Sequence, residues 1–227
     1  MAAGSDSAPR RAPVTRERVL AEALRIADED GVAALSMRRL GRACGVEAMS
    51  LYHHVPDKDT VLDGITAAVI AEVELPDARD LPWDVALAAA ARAMRDAFLR
   101  HPGALSLLAS RPAFRHPEGL ALIEWLLRVM RGAGFTPLDA MYGTRALGMY
   151  VIGYALGTAE RDRGPGGASD ARERLSALDP ASYPTQAALI REVGLDAWDD
   201  DDLFELGLRA MLDGLRLRLD GQPKTSV

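Results

Sequence analysis

The stretch Leu35–Leu62, LSMRRLGRACGVEAMSLYHHVPDKDTVL, decides the fold of this 227-residue chain. Ser36 is a residue type that caps helix starts, and Gly45 is a residue type that ends helices in a left-handed turn. The spacing predicts one short helix from Ser36 to the glycine and a second over Val46–Val55, which Pro56 ends. Two short helices joined by a tight turn are typical of a helix-turn-helix, whose second helix enters the major groove of DNA.

Helical patterns continue on both sides of this stretch. Apolar residues recur every three or four positions from Thr15 to Gly31 and again along 57–74, where Asp57 is the expected N-cap. Similar stripes follow to the end of the chain, and no alternating strand pattern appears. The sequence therefore predicts an all-α fold, with an N-terminal helix-turn-helix three-helix module joined to a larger helical domain.

The composition along the chain predicts three segments. Residues 1–13 are small, polar and proline-containing, which predicts a disordered tail. Residues 14–60 are the expected helix-turn-helix DNA-binding domain, and residues 61–222 are the expected helical regulatory and dimerisation domain, with 57–74 as the connecting helix. Within the second domain, 161–170 (RDRGPGGASD) predicts a flexible loop, and a final helix is expected to reach Leu219.

The net charge of −6 does not by itself indicate a nucleic-acid-binding protein. Its distribution is more informative, because residues 1–60 carry nine basic and nine acidic residues, and the rest of the chain carries the whole excess of negative charge. A neutral module on an acidic body can bind DNA if its arginines share one face.

The chain has the features of a cytoplasmic protein. Cys44 is its only cysteine, so an intrachain disulfide is impossible. The first residues lack the apolar region of a signal peptide. The longest nearly uncharged apolar stretch, 146–159, is shorter than the roughly 20 residues that span a membrane.

The order of residues over 45–63, GVEAMSLYHHVPDKDTVLD, resembles the recognition segment of the TetR family of transcriptional regulators, and 31–40, GVAALSMRRL, resembles the start of that family's second helix. Further along, Ala109-Ser110-Arg111-Pro112, Tyr183-Pro184 and the segments FELGL (204–208) and LDGL (212–215) resemble the C-terminal domain of the tetracycline repressor. The resemblance implies a homodimeric regulator that binds operator DNA and a small-molecule effector.

The resemblance also implies which residues bind DNA. Arg38 would reach a base or a phosphate, and Ala48 and Met49 would face the bases, where their side chains offer only apolar contacts. Phosphate contacts would come from the polar side chains nearby. The full DNA-binding set is Arg38, Ala48, Met49, Ser50, Tyr52, His53, His54 and Lys58. The alternatives are that Tyr52 is a core aromatic residue and Arg38 a solvated arginine.

The effector site is expected around the Arg-Pro pair. The predicted ligand-binding residues are Leu107, Ser110, Arg111, Pro112, Trp125, Met141 and Tyr142. Of these, Leu107, Trp125, Met141 and Tyr142, together with Leu108, would line a cavity for a largely apolar ligand; the alternative is that these side chains are simply core. In the repressor that this domain resembles, the drug arrives as a magnesium chelate, and a histidine four residues before the Arg-Pro pair helps to hold the metal. Leu107 stands at that position, so the resemblance implies an organic effector without magnesium, and neither a metal site nor a cofactor is expected.

A dimer interface is expected where long helices carry small and apolar residues. The family resemblance implies a four-helix arrangement built from 138–159 and 203–219, in which Gly153 and Gly157 allow two helices to approach closely. Three functions stay open: a ligand-responsive repressor, a helical ligand-binding protein without a DNA function, and an effector-independent DNA-binding protein. An enzyme is not expected, since no nucleophile elbow and no phosphate loop is present.

Overall fold

The computed structural model describes residues 13–163, 168–195 and 199–221, which form eleven α-helices and no β-strand. The helices are α1 (Arg16–Asp30), α2 (Met37–Cys44), α3 (Ala48–Leu51), α4 (Lys58–Ala71), α5 (Trp83–Arg100), α6 (Leu105–Ser110), α7 (Pro117–Gly132), α8 (Pro137–Arg163), α9 (Ala168–Ser176), α10 (Pro184–Val193) and α11 (Asp200–Asp220). Single turns of 3₁₀ helix lie at Val32–Ala34 and Ala113–Arg115. The predicted all-α class is confirmed.

Helices α1, α2 and α4 begin where the sequence predicts. Thr15, Ser36 and Asp57 have extended backbones, and their side chains accept a hydrogen bond from the backbone N–H three residues later, at 3.2, 3.2 and 2.7 Å. Gly31 and Gly45 follow α1 and α2 with φ angles of 80° and 73°, a conformation that side chains with a Cβ disfavour. Local residue chemistry therefore sets the helix ends in this region.

Several predicted boundaries are wrong. The third helix was expected over 46–55, but α3 covers only Ala48–Leu51, because the N–H groups of Tyr52 and His54 bond carbonyls three residues back, in tighter turns than an α-helix makes. The connecting helix ends at Ala71 rather than residue 74 for the same reason, since the N–H of Val73 bonds Ile70.

The predicted loop at 161–170 is also too long. Residues up to Arg163 continue α8, and α9 begins at Ala168, while 164–167 lie outside the described residues, as do 1–12 of the predicted tail. Helices α9 and α10 were not predicted. They bury little apolar surface, Ala187 being the one buried residue of α10, so no clear apolar stripe marks them in the sequence.

Helix α4 packs against both parts of the molecule. Its buried Val61, Ile65 and Val69 belong to one continuous apolar core that contains residues of α1 and α2 as well as residues of α5, α6 and α7. A Cβ at Gly64 would lie 2.3 Å from the side chain of Leu20, so α1 and α4 approach each other closely. Helices α1 and α2 and the larger helical body therefore share this one helix.

The turn between α5 and α6 contacts the end of α1. A Cβ at Gly103 would lie 1.9 Å from the carbonyl oxygen of Ala27, so only glycine fits in this turn. Beside it, the Nδ1 atom of His101 lies 2.7 Å from the carboxylate of Asp28, and the Nε2 atom lies 3.0 Å from that of Glu72. His101 thus connects α1, the end of α4 and the end of α5.

Ion pairs fasten the first half of α4 to the segment between α6 and α7. The Arg111 Nε atom donates to Asp63 at 2.7 Å, and the Arg115 Nε atom donates to the same carboxylate at 2.9 Å, while both guanidinium groups also reach Asp59. Burial opposes ionisation of Asp63, but the hydrogen bonds from Arg115 and Arg111 outweigh it and lower the pKa of Asp63 below its ordinary value.

A hydroxyl–imidazole contact adds to these ion pairs. The Thr66 hydroxyl of α4 donates to the Asp63 carbonyl at 2.7 Å and lies 3.3 Å from the Nε2 atom of buried His116. The Nδ1 atom of His116 accepts the Gly119 N–H at 3.1 Å and so caps α7. Because Nδ1 is an acceptor, Nε2 carries the proton and donates to Thr66.

Helices α8 and α11 form a tight pair. The Tyr150 hydroxyl donates to the Phe204 carbonyl at 2.6 Å, and the Tyr154 hydroxyl donates to the Asp200 carbonyl at 2.9 Å. The outer faces of this pair carry large exposed apolar side chains, namely Leu138, Met141, Tyr142, Met149, Leu203, Leu206 and Leu217. Many large exposed apolar side chains on two paired helices indicate a surface that another protein covers.

Asp63→Asn is expected to weaken the ion pairs without changing the side chain's shape. At pH 7 the free energy of unfolding should fall by about 1–3 kcal/mol, because hydrogen bonds to charged, largely buried groups contribute roughly that much. The folded-state pKa of Asp63 is lowered from 3.8, so this contribution is fully present above pH 3.8 and is lost as the pH falls through the lower value. Urea unfolding at equal protein concentration measures the difference, which should shrink in acid.

Asp77→Asn is the matched control. Asp77 pairs with Arg79 where both side chains are largely exposed, and exposed ion pairs contribute little to stability. We expect no measurable change in the free energy of unfolding at pH 7. Equal losses in the two variants, or a loss in Asp63→Asn that does not depend on pH, would contradict the role of Asp63.

Candidate nucleic-acid interface

Helices α2 and α3 meet at a close backbone approach. A Cβ at Gly41 would lie 2.9 Å from the carbonyl oxygen of Val46 and 3.1 Å from the Cα atom of Ala48. A larger residue would therefore push α3 away from α2. Sequence reasoning missed Gly41, although a glycine inside a predicted helix is itself a signal of close packing.

Buried side chains anchor α2 and α3 in the core. Leu40 and Cys44 of α2, Leu51 of α3 and Val55 after it are at most 1% exposed and belong to the core. Burial raises the pKa of the Cys44 thiol, which keeps it a neutral apolar residue. The orientation of α3 is therefore fixed by packing, and its other side faces outward.

The outward side carries most of the predicted DNA-binding residues. Met49 is 74% exposed and Tyr52 is 43% exposed, so Tyr52 is not the core aromatic residue that was the alternative for it. Also exposed are Arg38, Ser50, His53 and Lys58, while Ala48 and His54 are partly buried. The eight residues lie along α2, α3, the turn after it and the first residue of α4, so the fold brings them to one end of the molecule.

Two arginines near this surface are already engaged. Arg39 of α2 forms an ion pair with Asp30 of α1. The Arg18 guanidinium of α1 donates to the carbonyl of Cys44 at 3.2 Å and so binds the C-terminal end of α2. Sequence reasoning missed the role of Arg18, because the contact joins residues 26 positions apart. Arg38 and Arg42 are exposed on α2, which leaves two guanidinium groups beside α3 for a polyanion.

The predicted ligand-binding residues lie in several different surroundings within the described part of the chain. Leu107 is buried in the core, and Ser110 at the end of α6 donates to the carbonyl of Ser106 at 2.7 Å. Arg111 binds the carboxylates of α4, so its charge is directed toward the connecting helix. Pro112, which follows it, is exposed.

The remaining three residues lie elsewhere. Trp125 is partly buried and lines an outer cleft beside the segment that follows α4. Met141 and Tyr142 are 61% and 59% exposed on the outer face of α8. Within the subunit these three residues therefore lie apart from buried Leu107, and residues 141 and 142 face away from the subunit core. Their roles in ligand binding stay predictions.

The described residues also bear on other classes of site. No group of three or more histidine, cysteine, aspartate or glutamate side chains is arranged there to hold a metal ion. Within the same ranges, no helix is both long and apolar enough to cross a membrane.

Comparison with known families matches almost the whole chain. Residues 19–65 match the model of "Bacterial regulatory proteins, tetR family", and residues 75–219 match that of "Tetracyclin repressor-like, C-terminal domain". The first match contains α2, α3 and most of α4, and the second contains α5 to α11. The helix-turn-helix geometry and the larger helical body thus each have a counterpart in known regulators.

Individual relatives agree with the family models. The chain is 33% identical to the HTH-type transcriptional repressor DrrR1 of Streptomyces coeruleorubidus, over 92% of this chain and 81% of the relative. It is 29% identical to the class D tetracycline repressor protein of Escherichia coli, over 92% of each chain. The TetR family protein ActR of Streptomyces coelicolor, solved in complex with actinorhodin, superposes with a TM-score of 0.79 at 31% identity, over 93% of this chain and 100% of that one.

These relatives are transcriptional regulators, and their similarity extends over both the helix-turn-helix region and the larger helical body. The chain therefore belongs to the tetR family of bacterial regulatory proteins, and it is a transcriptional regulator.

Proposed function

We propose that the protein binds a palindromic operator in the cytoplasm as a two-fold homodimer and is released from it by a small organic effector. Residues 14–60 are the proposed DNA-binding domain, 61–222 the regulatory and dimerisation domain, and 1–13 a tail. The observation that carries the proposal is the exposed row of side chains around Met49, held rigidly by the buried face of α3. It acts by binding, without a catalytic step.

Recognition of DNA divides between two kinds of contact. Ser50, Tyr52, His54 and Lys58 are the proposed phosphate contacts, which set the register of the protein on the duplex. Ala48 and Met49 offer methyl and thioether groups to thymine methyls, and Arg38 is the one member of the set that can bind a guanine edge through two hydrogen bonds. Base preference should therefore depend on few side chains.

The dimer is proposed to form through the outer faces of α8 and α11. The apolar side chains on these faces are held in place by the hydrogen bonds from Tyr150 and Tyr154. Gly153 and Gly157 have no atom within 4 Å of an added Cβ, so the backbone of α8 is open to the close approach of another helix. Two copies of the pair would make a four-helix interface, with the two recognition segments separated by one helical turn of DNA, about 34–36 Å.

Effector release is proposed to act through α4. Arg111 and Arg115 bind Asp59 and Asp63 of that helix, so a shift of α6 is transmitted directly to it. Helix α4 also packs on α1, and any tilt changes the position of α3 relative to its copy in the dimer. A ligand that binds the tilted form more tightly lowers operator affinity by that difference in affinity.

The first prediction concerns the DNA-contacting residues. Met49→Ala should change the base sequences selected from a random duplex pool, because it removes a side chain that faces the bases. Lys58→Ala should weaken binding to all sequences about equally and lower the slope of log affinity against log salt by about 1, because it removes one phosphate contact.

Each of these variants is the control for the other. An unchanged selected site in Met49→Ala would show that Met49 lies outside the groove. Equal affinity of the wild-type protein for a palindrome near its own gene and for a shuffled duplex, measured by gel shift over a salt series, would contradict operator binding itself.

The second prediction concerns the dimer. Leu206 is 62% exposed in the subunit, so Leu206→Arg should leave each subunit folded. In the proposed interface it would bury an unpaired charge at a cost of about 3–5 kcal/mol, enough to shift the protein to monomers at micromolar concentration. Sedimentation velocity measures this, with circular dichroism as the test of folding.

Leu120→Arg is the matched control, because Leu120 is 51% exposed on α7, outside the α8 and α11 faces. It should sediment like the wild type. A monomeric wild type, or dissociation by both variants alike, would refute the proposed interface.

The third prediction concerns the effector. Leu107 occupies the position of a magnesium-binding histidine in the repressor that the C-terminal domain resembles, and it has no lone pair to offer a metal. We therefore expect no magnesium-dependent binding of tetracycline in titration calorimetry. Magnesium-dependent tetracycline binding that also releases operator DNA would overturn this expectation, while leaving operator binding intact.

A further inference from the structure

A cleft on the outer side of the regulatory domain is separate from the α6 region. One wall is the segment between α4 and α5, and the other is the second half of α7. Its volume is about 610 Å³, within the size range of sites for drug-sized molecules. The ligand chemistry of the cleft depends on five of its lining residues, namely Arg79, Trp83, Trp125, Arg128 and Gly132.

The α7 wall is built by helical spacing. Trp125, Arg128, Val129, Gly132 and Ala133 stand at intervals of three and four residues, so they share one face of the helix. This face carries the indole of Trp125 and the side chain of Val129, and the exposed guanidinium of Arg128 lies beside them. Gly132 adds no side chain, and a Cβ placed there would meet no atom within 4 Å. The cleft is therefore open at that point.

A second indole comes from the opposite side. Trp83 is the first residue of α5, and its ring contacts the ring of Phe135 edge-on, with centroids 5.1 Å apart and planes at 82°. That contact fixes the Trp83 ring while leaving the side chain only partly buried. Two indoles from different elements thus line one cleft, an arrangement that favours a flat aromatic ligand through stacking.

The charge of the cleft is positive. Asp77 is paired with Arg79, whose Nε and Nη2 atoms donate to its two carboxylate oxygens at 3.0 and 2.5 Å, and these bonds lower the pKa of Asp77. Arg128 is exposed and has no carboxylate within ion-pairing distance among the described residues. One unpaired guanidinium therefore stands at the rim of an apolar cleft in a protein of net charge −6.

We propose that this cleft binds a planar aromatic anion, which stacks between Trp83 and Trp125 and places its carboxylate or phenolate on Arg128. Arginine donates two parallel hydrogen bonds to a carboxylate, and the apolar walls strengthen that interaction by excluding water. The ligand contacts the segment that directly follows α4. The site is separate from the effector region proposed around α6, and it does not depend on operator binding.

The test is titration calorimetry with anthraquinone-2-carboxylate on the full-length protein without DNA. A ligand of this size in a good site should bind with a Kd on the order of 10–100 µM. Anthraquinone-2-carboxamide, which has the same ring system without the charge, should bind more weakly. Arg128→Gln should weaken the carboxylate about tenfold and leave the affinity for the carboxamide unchanged.

Two further variants make the result specific. Arg191→Gln removes an equal charge from α10, where the guanidinium bonds a carbonyl of its own helix, and it should bind like the wild type. Gly132→Leu fills the open part of the cleft and should abolish binding of both compounds, with circular dichroism unchanged. Wild-type affinity in Arg128→Gln or in Gly132→Leu, or no binding by the wild type, would overturn the proposal. Operator binding is measured separately, so its loss would leave the cleft site standing.

Discussion

The connection between α4 and the segment that joins α6 to α7 depends on the carboxylate of Asp63. Asp63 belongs to α4, and it receives hydrogen bonds from Arg111, which follows α6, and from Arg115, the last residue of the 3₁₀ turn before α7. About one helical turn after Asp63 on α4, Thr66 contacts the buried His116 that caps α7. The regulatory helices therefore hold α4 through charged and polar groups with defined directions, and not through apolar packing alone.

The direction of these hydrogen bonds matters because α4 packs both against α1 and against α5, α6 and α7. Apolar packing is non-directional, so by itself it defines the relative position of two helices less sharply than hydrogen bonds do. Hydrogen bonds between a carboxylate and two guanidinium groups lose strength steeply when donor and acceptor move. A small displacement of α6 must then either carry α4 along or break these bonds. On the other side, the close contact of Gly64 with Leu20 makes α1 follow α4.

The uneven distribution of charge along the chain explains how an acidic protein could bind DNA. The excess of negative charge lies outside the first sixty residues, where other carboxylates are neutralised in ion pairs such as Arg92 with Glu205 and Arg100 with Glu72. At the other end, Arg39 and Arg18 position helices, which leaves Arg38, Arg42 and Lys58 exposed around α3. A local positive surface, screened over about 10 Å in salt, is not cancelled by charges farther away than that.

The sequence by itself determined the starts of α1, α2 and α4, the ends of α1 and α2, the all-α class and the exposed row around Met49. Thr15, Ser36 and Asp57 cap helices through atoms only three residues away, and Gly31 and Gly45 act on their own backbone, so these features need no distant partner. Tertiary structure decided that Arg111 binds α4, that Trp125 lines an outer cleft, and that Met141 and Tyr142 face outward. Each of these depends on which helix lies opposite, and that is set by contacts between residues tens of positions apart, which no local pattern encodes.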